Sequence, residues 1–63
     1  MVIQEKINVS GHHYFVILAG NGETLVVSEM YSSKQMCEHT MKLFKESAPK
    51  WIAKNENGEI LFD

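Results

Sequence analysis

The segment His13–Ser28 reads HYFVILAGNGETLVVS and carries the strongest structural signal in the chain. Two runs rich in β-branched and aromatic residues are joined across Asn21-Gly22, a pair that favours a two-residue type I′ turn. The segment therefore predicts a β-hairpin. A two-residue turn at this position pairs Ala19 with Thr24 and sets the register of both strands.

Both faces of this predicted hairpin are apolar, which is unusual. One face carries His13, Phe15, Ile17, Ala19, Thr24, Val26 and Ser28. The second face carries Tyr14, Val16, Leu18, Leu25 and Val27. An antiparallel hairpin that is covered on one side only should alternate apolar with polar residues. One helix can cover only one of these faces, so the second face needs another explanation.

A single amphipathic helix is predicted between Ser32 and Ala48. Ser32 and Gln35 have the spacing of a capping box, and Pro49 ends the helix. Projection at 100° per residue gathers the apolar residues on one side of the helix, which we expect to face the sheet. These residues are Met36, Cys37, Thr40, Met41, Leu43, Phe44 and Ala48.

The flanking segments complete the fold. Residues 1–7 have the apolar pattern of a weak first strand, and Asn57-Gly58 indicates a second hairpin within residues 50–63. Pairing around that turn places Trp51, Ala53, Ile60 and Phe62 on one face. The sequence therefore predicts one α+β domain over residues 1–63: a β(3)-α-β unit with one extra terminal strand and its helix on an antiparallel sheet.

The length of 63 residues leaves only a marginal hydrophobic core. Domains below about 70–80 residues usually need disulfides, a metal or a partner chain for stability. Cys37 is the only cysteine, so an internal disulfide is excluded. A single free thiol is also typical of a reducing compartment, so we expect a cytoplasmic protein. A metal or a homodimer then remains as the stabilising element.

Charge and hydropathy disfavour two classes of partner. The chain has six lysines, no arginine and eight acidic residues, whereas nucleic-acid phosphates are bound by clusters of Lys and Arg. Lys34, Lys42 and Lys45 share the predicted helix but alternate with glutamates. No apolar run approaches the ~20 residues that span a bilayer, so no membrane association is expected.

The residues that could carry chemistry do not converge in the predicted structure. His12 and His13 are adjacent on a strand and point to opposite faces, and Cys37 and His39 diverge around the helix. Most carboxylates are expected at turns or on the solvated helix face, with no pair in a shared cleft: Glu23, Glu29, Glu38, Glu46, Glu56, Glu59 and Asp63. The sequence therefore predicts no metal, no cofactor and no enzymatic activity.

Several short elements resemble one known family over roughly residues 11–49. They are Gly11, Phe15, Ile17, Ala19, Asn21-Gly22-Glu23, Ser28-Glu29, Tyr31, Ser33-Lys34 and Ala48-Pro49. At this spacing the chain resembles the YegP-like family of short bacterial and archaeal domains of unknown function. The resemblance implies a β(3)-α-β unit and, for a single repeat, a homodimer with one shared sheet and exchanged C-terminal strands. It implies no catalytic residues.

This chain departs from the family on the second hairpin face. The family usually has Arg or Lys at the positions of Tyr14, Val16 and Leu18, which are apolar or aromatic here. A contiguous apolar patch on a small protein usually marks an interface. The residues predicted to bind a partner are Tyr14, Val16, Leu18, Leu25, Val27 and the aromatic anchor Trp51.

Three functions are compatible with these features. The leading interpretation is a non-enzymatic homodimer that binds one protein partner through the apolar face, with an inhibitor or modulator of another protein as one version. The first alternative is a self-assembling structural domain without a foreign partner. The second is a nucleic-acid-associated protein that uses the helix lysines. A further structural alternative is that the C-terminal hairpin, with Trp51 and Phe62, folds over the apolar face.

Overall fold

A computed structural model describes residues 1–62 of the chain as five strands and one helix. The elements are β1 (Val2–Ile7), β2 (His13–Leu18), β3 (Thr24–Val27), α1 (Lys34–Ser47), β4 (Ile52–Lys54) and β5 (Ile60–Phe62). The predicted α+β class and the order β-β-β-α-β with an extra terminal strand are confirmed. The part of this prediction that concerns Asp63 lies outside the described residues.

The five strands form one mixed sheet in the order β3-β2-β1-β4-β5. β1 and β4 run parallel, whereas the other neighbouring pairs are antiparallel. The prediction of a purely antiparallel sheet is therefore wrong. After β3 the chain crosses over the sheet through α1, so that β4 runs in the same direction as β3. β1 also runs in this direction, and β4 therefore pairs with β1 in parallel. The C-terminal hairpin extends the sheet edge and does not fold over the open face.

The three hairpin turns share one geometry, a three-residue loop whose last residue is a left-handed glycine. These glycines are Gly11, Gly22 and Gly58, with φ between 83° and 87°. Each donates its N–H to the carbonyl oxygen three residues earlier, at 2.9–3.0 Å. The type I′ turn predicted at Asn21-Gly22 is wrong, because Asn21 does not have a positive φ. A type I turn followed by a left-handed glycine needs only one such residue.

The longer loop shifts the strand register beside the turn. Leu18 pairs with Thr24, whereas Ile17 pairs with Val26, so Leu25 is the extra residue of a β-bulge. The same shift occurs between β4 and β5. The register predicted for the part of the hairpin far from the turn is confirmed, and the register next to the turn is wrong by one residue.

The N-cap of the helix lies one residue later than predicted. Ser33 is the N-cap, with extended backbone, and its side-chain oxygen accepts from the N–H of Met36 at 3.2 Å. The capping role assigned to Ser32 is therefore wrong. At the other end, the N–H of Ala48 donates to the carbonyl of Phe44 before Pro49 ends the helix.

The core lies between α1 and the strands β1, β2 and β4. Its buried members are Ile3, Phe15, Cys37, Met41 and Ala53, and Tyr31, Trp51, Leu61 and Phe62 pack against them. Only Cys37 and Met41 are buried on the helix. The apolar stripe in contact with the sheet is therefore narrower than predicted, and Met36, Leu43 and Phe44 are exposed.

Candidate interaction surface

The open face is the sheet surface opposite α1. Paired residues on neighbouring strands point to the same side of a sheet, so the register defines this face. It carries Val2, Gln4, Lys6, Tyr14, Val16, Leu18, Thr24, Val27, Ile52, Lys54 and Ile60. Most of these residues are apolar, whereas Gln4 and Lys54 lie in the same cross-strand row as Val16, and Lys6 lies opposite Tyr14.

The structure brings four of the six predicted binding residues together on the open face. Tyr14, Val16 and Leu18 lie along β2, and Val27 lies beside Val16 on β3. Val16 is only 3% exposed, so it forms the floor of the surface and offers little contact area. Val27 is 57% exposed and is the most accessible of the four.

The other two predicted binding residues are Leu25 and Trp51. Leu25 occupies the bulge of β3 and is 49% exposed at the sheet edge. Trp51 packs against the core on the helix side of the sheet. Its placement follows from strand alternation, because Ala53, two residues later, also faces the helix. Trp51 is therefore not an anchor of the open face.

The edge strand β3 joins the open face to a free sheet edge. All four of its residues are exposed, and three of them are Leu25, Val26 and Val27. The N–H of Ser28 donates to Phe15, and successive backbone groups of a strand alternate in direction. The N–H and carbonyl of Val27 therefore point away from the sheet, where another strand could pair with them.

A groove of about 670 Å³ lies on the open face beside β1 and β2. Its floor includes Gln4, Lys6, Tyr14 and Leu18, and the turn of the C-terminal hairpin forms one wall. Gln4 also donates from its amide to the carbonyl oxygen of Asn55, which holds that turn close to β1.

On the opposite side of the sheet, one carboxyl group is buried in the core. Glu5 is 0% exposed and lies on the same face of β1 as Ile3. Its pKa is raised from 4.5 to about 7, mainly by burial and then by a hydrogen bond and charge repulsion with Glu38. The ammonium of Lys34 opposes this shift.

Charged and polar side chains from β2, α1 and the turn of the C-terminal hairpin surround this carboxyl. The Glu5 cluster comprises Glu5, His13, Lys34, Cys37, Glu38 and Glu56. Nζ of Lys34 lies 3.4 Å from Oε1 of Glu5, 3.1 Å from Oε2 of Glu38 and 2.8 Å from Oε2 of Glu56. The hydrogen bond from Lys34 lowers the pKa of Glu56. The ammonium group of Lys34 thus contacts three carboxyl groups.

Sequence reasoning did not find the Glu5 cluster. The carboxylates considered from the sequence did not include Glu5, which lies beside Glu38 in the core. A signal was present, because the two-residue period of a strand places Glu5 between Ile3 and Ile7 on one face. The contacts from α1 and the C-terminal hairpin depend on tertiary packing and leave no local pattern.

The thiol of Cys37 is the buried sulfur of this cluster. Cys37 is 0% exposed, and burial raises its pKa to about 12, with a further contribution from the charge of Glu5. Among residues 1–62, no three His, Cys, Asp or Glu side chains are placed to hold a metal ion. Within the same residues, no helix is long and apolar enough to cross a membrane.

The fold and this surface define a small α+β domain with one helix on one side of a mixed sheet. The model of a family described as a domain of unknown function (DUF1508) matches residues 8–51. The match covers more than half of the chain, so the protein belongs to this family, and the resemblance to the YegP-like family is consistent with it. No curated protein and no solved structure matches the chain.

Proposed function

We propose that the protein is a non-catalytic interaction domain that pairs with a second copy of itself along β3. The open face of the joined sheet would then bind a protein partner. The observation that carries this proposal is the exposed apolar edge formed by Leu25, Val26 and Val27. Soluble proteins usually protect sheet edges with charged residues, prolines or covering segments. β3 contains no charged residue and no proline.

The two edges of the sheet are not equivalent. The outer edge of β4 is covered by β5, which has three residues and ends with Phe62. β3 is longer, and its apolar side chains lie on both faces of the sheet. Pairing of two β3 strands would therefore bury apolar surface on both sides of the shared sheet. The small core of a 63-residue chain adds a reason for a partner chain.

The open face continues this edge and supports the proposed partner site. Leu18 and Val27 lie on the same side of the sheet as the exposed residue Ile52 and the aromatic ring of Tyr14. Exposed apolar groups with an aromatic residue are typical of protein interfaces. An inhibitor or modulator of another protein is one version of this proposal, and a cytoplasmic location is part of it.

The buried groups support a non-catalytic role. The thiol of Cys37 has no exposed surface, and its raised pKa keeps it protonated near neutral pH. Glu5 is equally inaccessible. A nucleophile or general acid must reach its substrate, and neither side chain can do so in this structure.

The helix lysines give little support to nucleic-acid binding. Lys34 is held by the carboxyl groups of Glu38 and Glu56. Lys45 donates to the carbonyl oxygens of Pro49 and Trp51. Phosphate binding would need both ammonium groups to leave these partners, so the protein-binding proposal is preferred.

Light scattering tests the pairing of β3. Val27→Pro removes an N–H that points away from β2, so the β2–β3 pairing should persist while edge pairing is lost. Val9→Pro is the matched control, because Val9 is fully exposed at the second position of the β1–β2 turn, where proline is favoured. We expect a dimer for the wild type and the control and a monomer for Val27→Pro.

The remaining outcomes separate the alternatives. A monomeric wild type at high micromolar concentration would contradict the homodimer. A dimer that persists in Val27→Pro would point to exchange of the C-terminal strands, the arrangement implied by the family resemblance. A tagged wild type that captures a protein, lost with Leu18→Lys and kept with Val9→Pro, would support the partner site. Recovery of the bait alone would favour a self-assembling structural domain.

A further inference from the structure

We propose that a proton on Glu5 fixes the turn of the C-terminal hairpin to the first turn of α1, and that its loss releases this turn. The geometric basis is Lys34, whose single ammonium lies between Glu5 on β1, Glu38 on α1 and Glu56 in the hairpin turn. The charge on Glu5, the buried member of this set, decides whether the ammonium of Lys34 lies closer to Glu5 or to Glu56.

The protonated state satisfies all three carboxyl groups. A neutral Glu5 can donate its proton to the neighbouring carboxylate of Glu38, whose buried Oε2 accepts no hydrogen bond within residues 1–62. Lys34 then neutralises Glu38 and Glu56 together, and its shortest contact, 2.8 Å, is with Glu56. That contact ties the hairpin turn to the N-terminal end of the helix.

Loss of the proton creates a conflict. An ionised Glu5 is a buried anion beside Glu38, and its Oε2 has no hydrogen-bond partner among the described residues. The ammonium of Lys34 lies 3.4 Å from the Oε1 atom of Glu5. Movement of the ammonium toward Glu5 lengthens its contact with Glu56 and frees the turn.

Every group that faces Glu5 affects the charge on its carboxyl group. His13 faces it from β2, with Nδ1 at 3.6 Å from Oε2, and Cys37 faces it from α1 together with Lys34 and Glu38. Cys37 stays neutral because its pKa is about 12. The pKa of Glu5, about 7, places the transition near neutral pH. His13 is the other ionisable side chain in contact with this carboxyl, so the test must separate the two.

The turn also forms one wall of the groove on the open face. Glu56, Asn57 and Gly58 line that groove together with Glu5. Release of the turn would therefore change the shape of the groove while Gln4 still holds Asn55 to β1. Loss of the Glu5 proton therefore affects the turn and leaves the rest of the sheet intact.

Nuclear magnetic resonance tests the proposal in the intact protein. The carboxyl carbon of Glu5 and the amide protons of Glu56 and Gly58 are followed between about pH 5 and 9. We expect the same midpoint near pH 7 for all three signals. Above this midpoint, the exchange rates of the turn amides, corrected for intrinsic chemistry, should rise about two- to fivefold, the factor for loss of an exposed ion pair.

Three variants identify the responsible group. Glu5→Gln should remove the transition of the turn amides, and Glu59→Gln, in the same hairpin but outside the cluster, should keep it. His13→Gln should also keep it. A wild type whose turn amides do not titrate with Glu5 would overturn the proposal, as would a transition that survives Glu5→Gln or disappears in His13→Gln. The wild-type titration decides the matter even if Glu5→Gln does not fold.

Discussion

Oε2 of Glu5 and Nδ1 of His13 lie 3.6 Å apart inside the protein, and neither atom has a hydrogen-bond partner among residues 1–62. Two unpaired polar atoms at this distance are costly in a small core. The carboxyl group also meets Glu38 on its other side. The energy of folding must therefore depend on which of these groups carries a proton.

The first prediction concerns this pH dependence. The pKa of Glu5 is about 7 in the folded protein and 4.5 as its ordinary value, so the folded state binds the proton more tightly. The stabilising contribution is complete below pH 4.5 and is lost as the pH rises through 7. Relative to Glu5→Gln, the wild type should lose about 3 kcal/mol of unfolding free energy between about pH 4.5 and 8.

Urea denaturation across this pH range measures the difference between the two proteins. Glu59→Gln provides the control, since its carboxylate accepts from Asn55 and does not contact the buried carboxyl. This variant should follow the wild-type curve. Parallel pH profiles for the wild type and Glu5→Gln would show that the buried carboxyl does not control stability.

A second prediction distinguishes two adjacent serines at the start of α1. Ser33 accepts a hydrogen bond from the N–H of Met36, so Ser33→Ala should lower the unfolding free energy by about 1 kcal/mol. Ser32 is exposed, and Ser32→Ala should have an effect within about 0.5 kcal/mol. Thermal or urea unfolding measures both. Equal losses of unfolding free energy in the two variants would show that Ser33 is not the cap.

The hairpin and the helix were predictable because their signals are local. The β-branched and aromatic run in residues 13–18, the glycines of the turns and the stop at Pro49 are each signals within a few residues. The type of turn was not predictable with the same accuracy. An Asn-Gly pair fits both a two-residue and a three-residue loop, and the choice shifts Thr24 from one face to the other.

The site was only partly predictable because it depends on pairing between distant segments. The open-face positions of Tyr14 and Leu18 follow from alternation alone. The position of Trp51 depends on the parallel pairing of β4 with β1, which joins segments about 50 residues apart in the chain. The ion pair between Lys34 and Glu56 has the same origin.

A third prediction tests the left-handed glycine of the β2–β3 turn. Gly22 has a φ of 87°, a conformation that costs a residue with a Cβ atom about 1 kcal/mol. Gly22→Ala should therefore destabilise the protein by about that amount. Gly20 lies in the same loop without a left-handed φ and with open space around its Cβ position. Gly20→Ala should be neutral or stabilising by up to about 1 kcal/mol. Matching destabilisation of both variants in urea unfolding would exclude this loop geometry.

The last prediction uses Cys37 as a probe of the contact between helix and sheet. The thiol has no exposed surface and a pKa of about 12, so a thiol reagent should not modify it in the native protein near pH 8. Modification should require unfolding, and its rate should rise with urea in step with the unfolded population. An exposed cysteine introduced by Val9→Cys, together with Cys37→Ala, should react at once and independently of urea. Rapid modification of the wild type without urea would mean that α1 separates from the sheet by local opening, which the packing of Cys37 against Ile3 and Ala53 argues against.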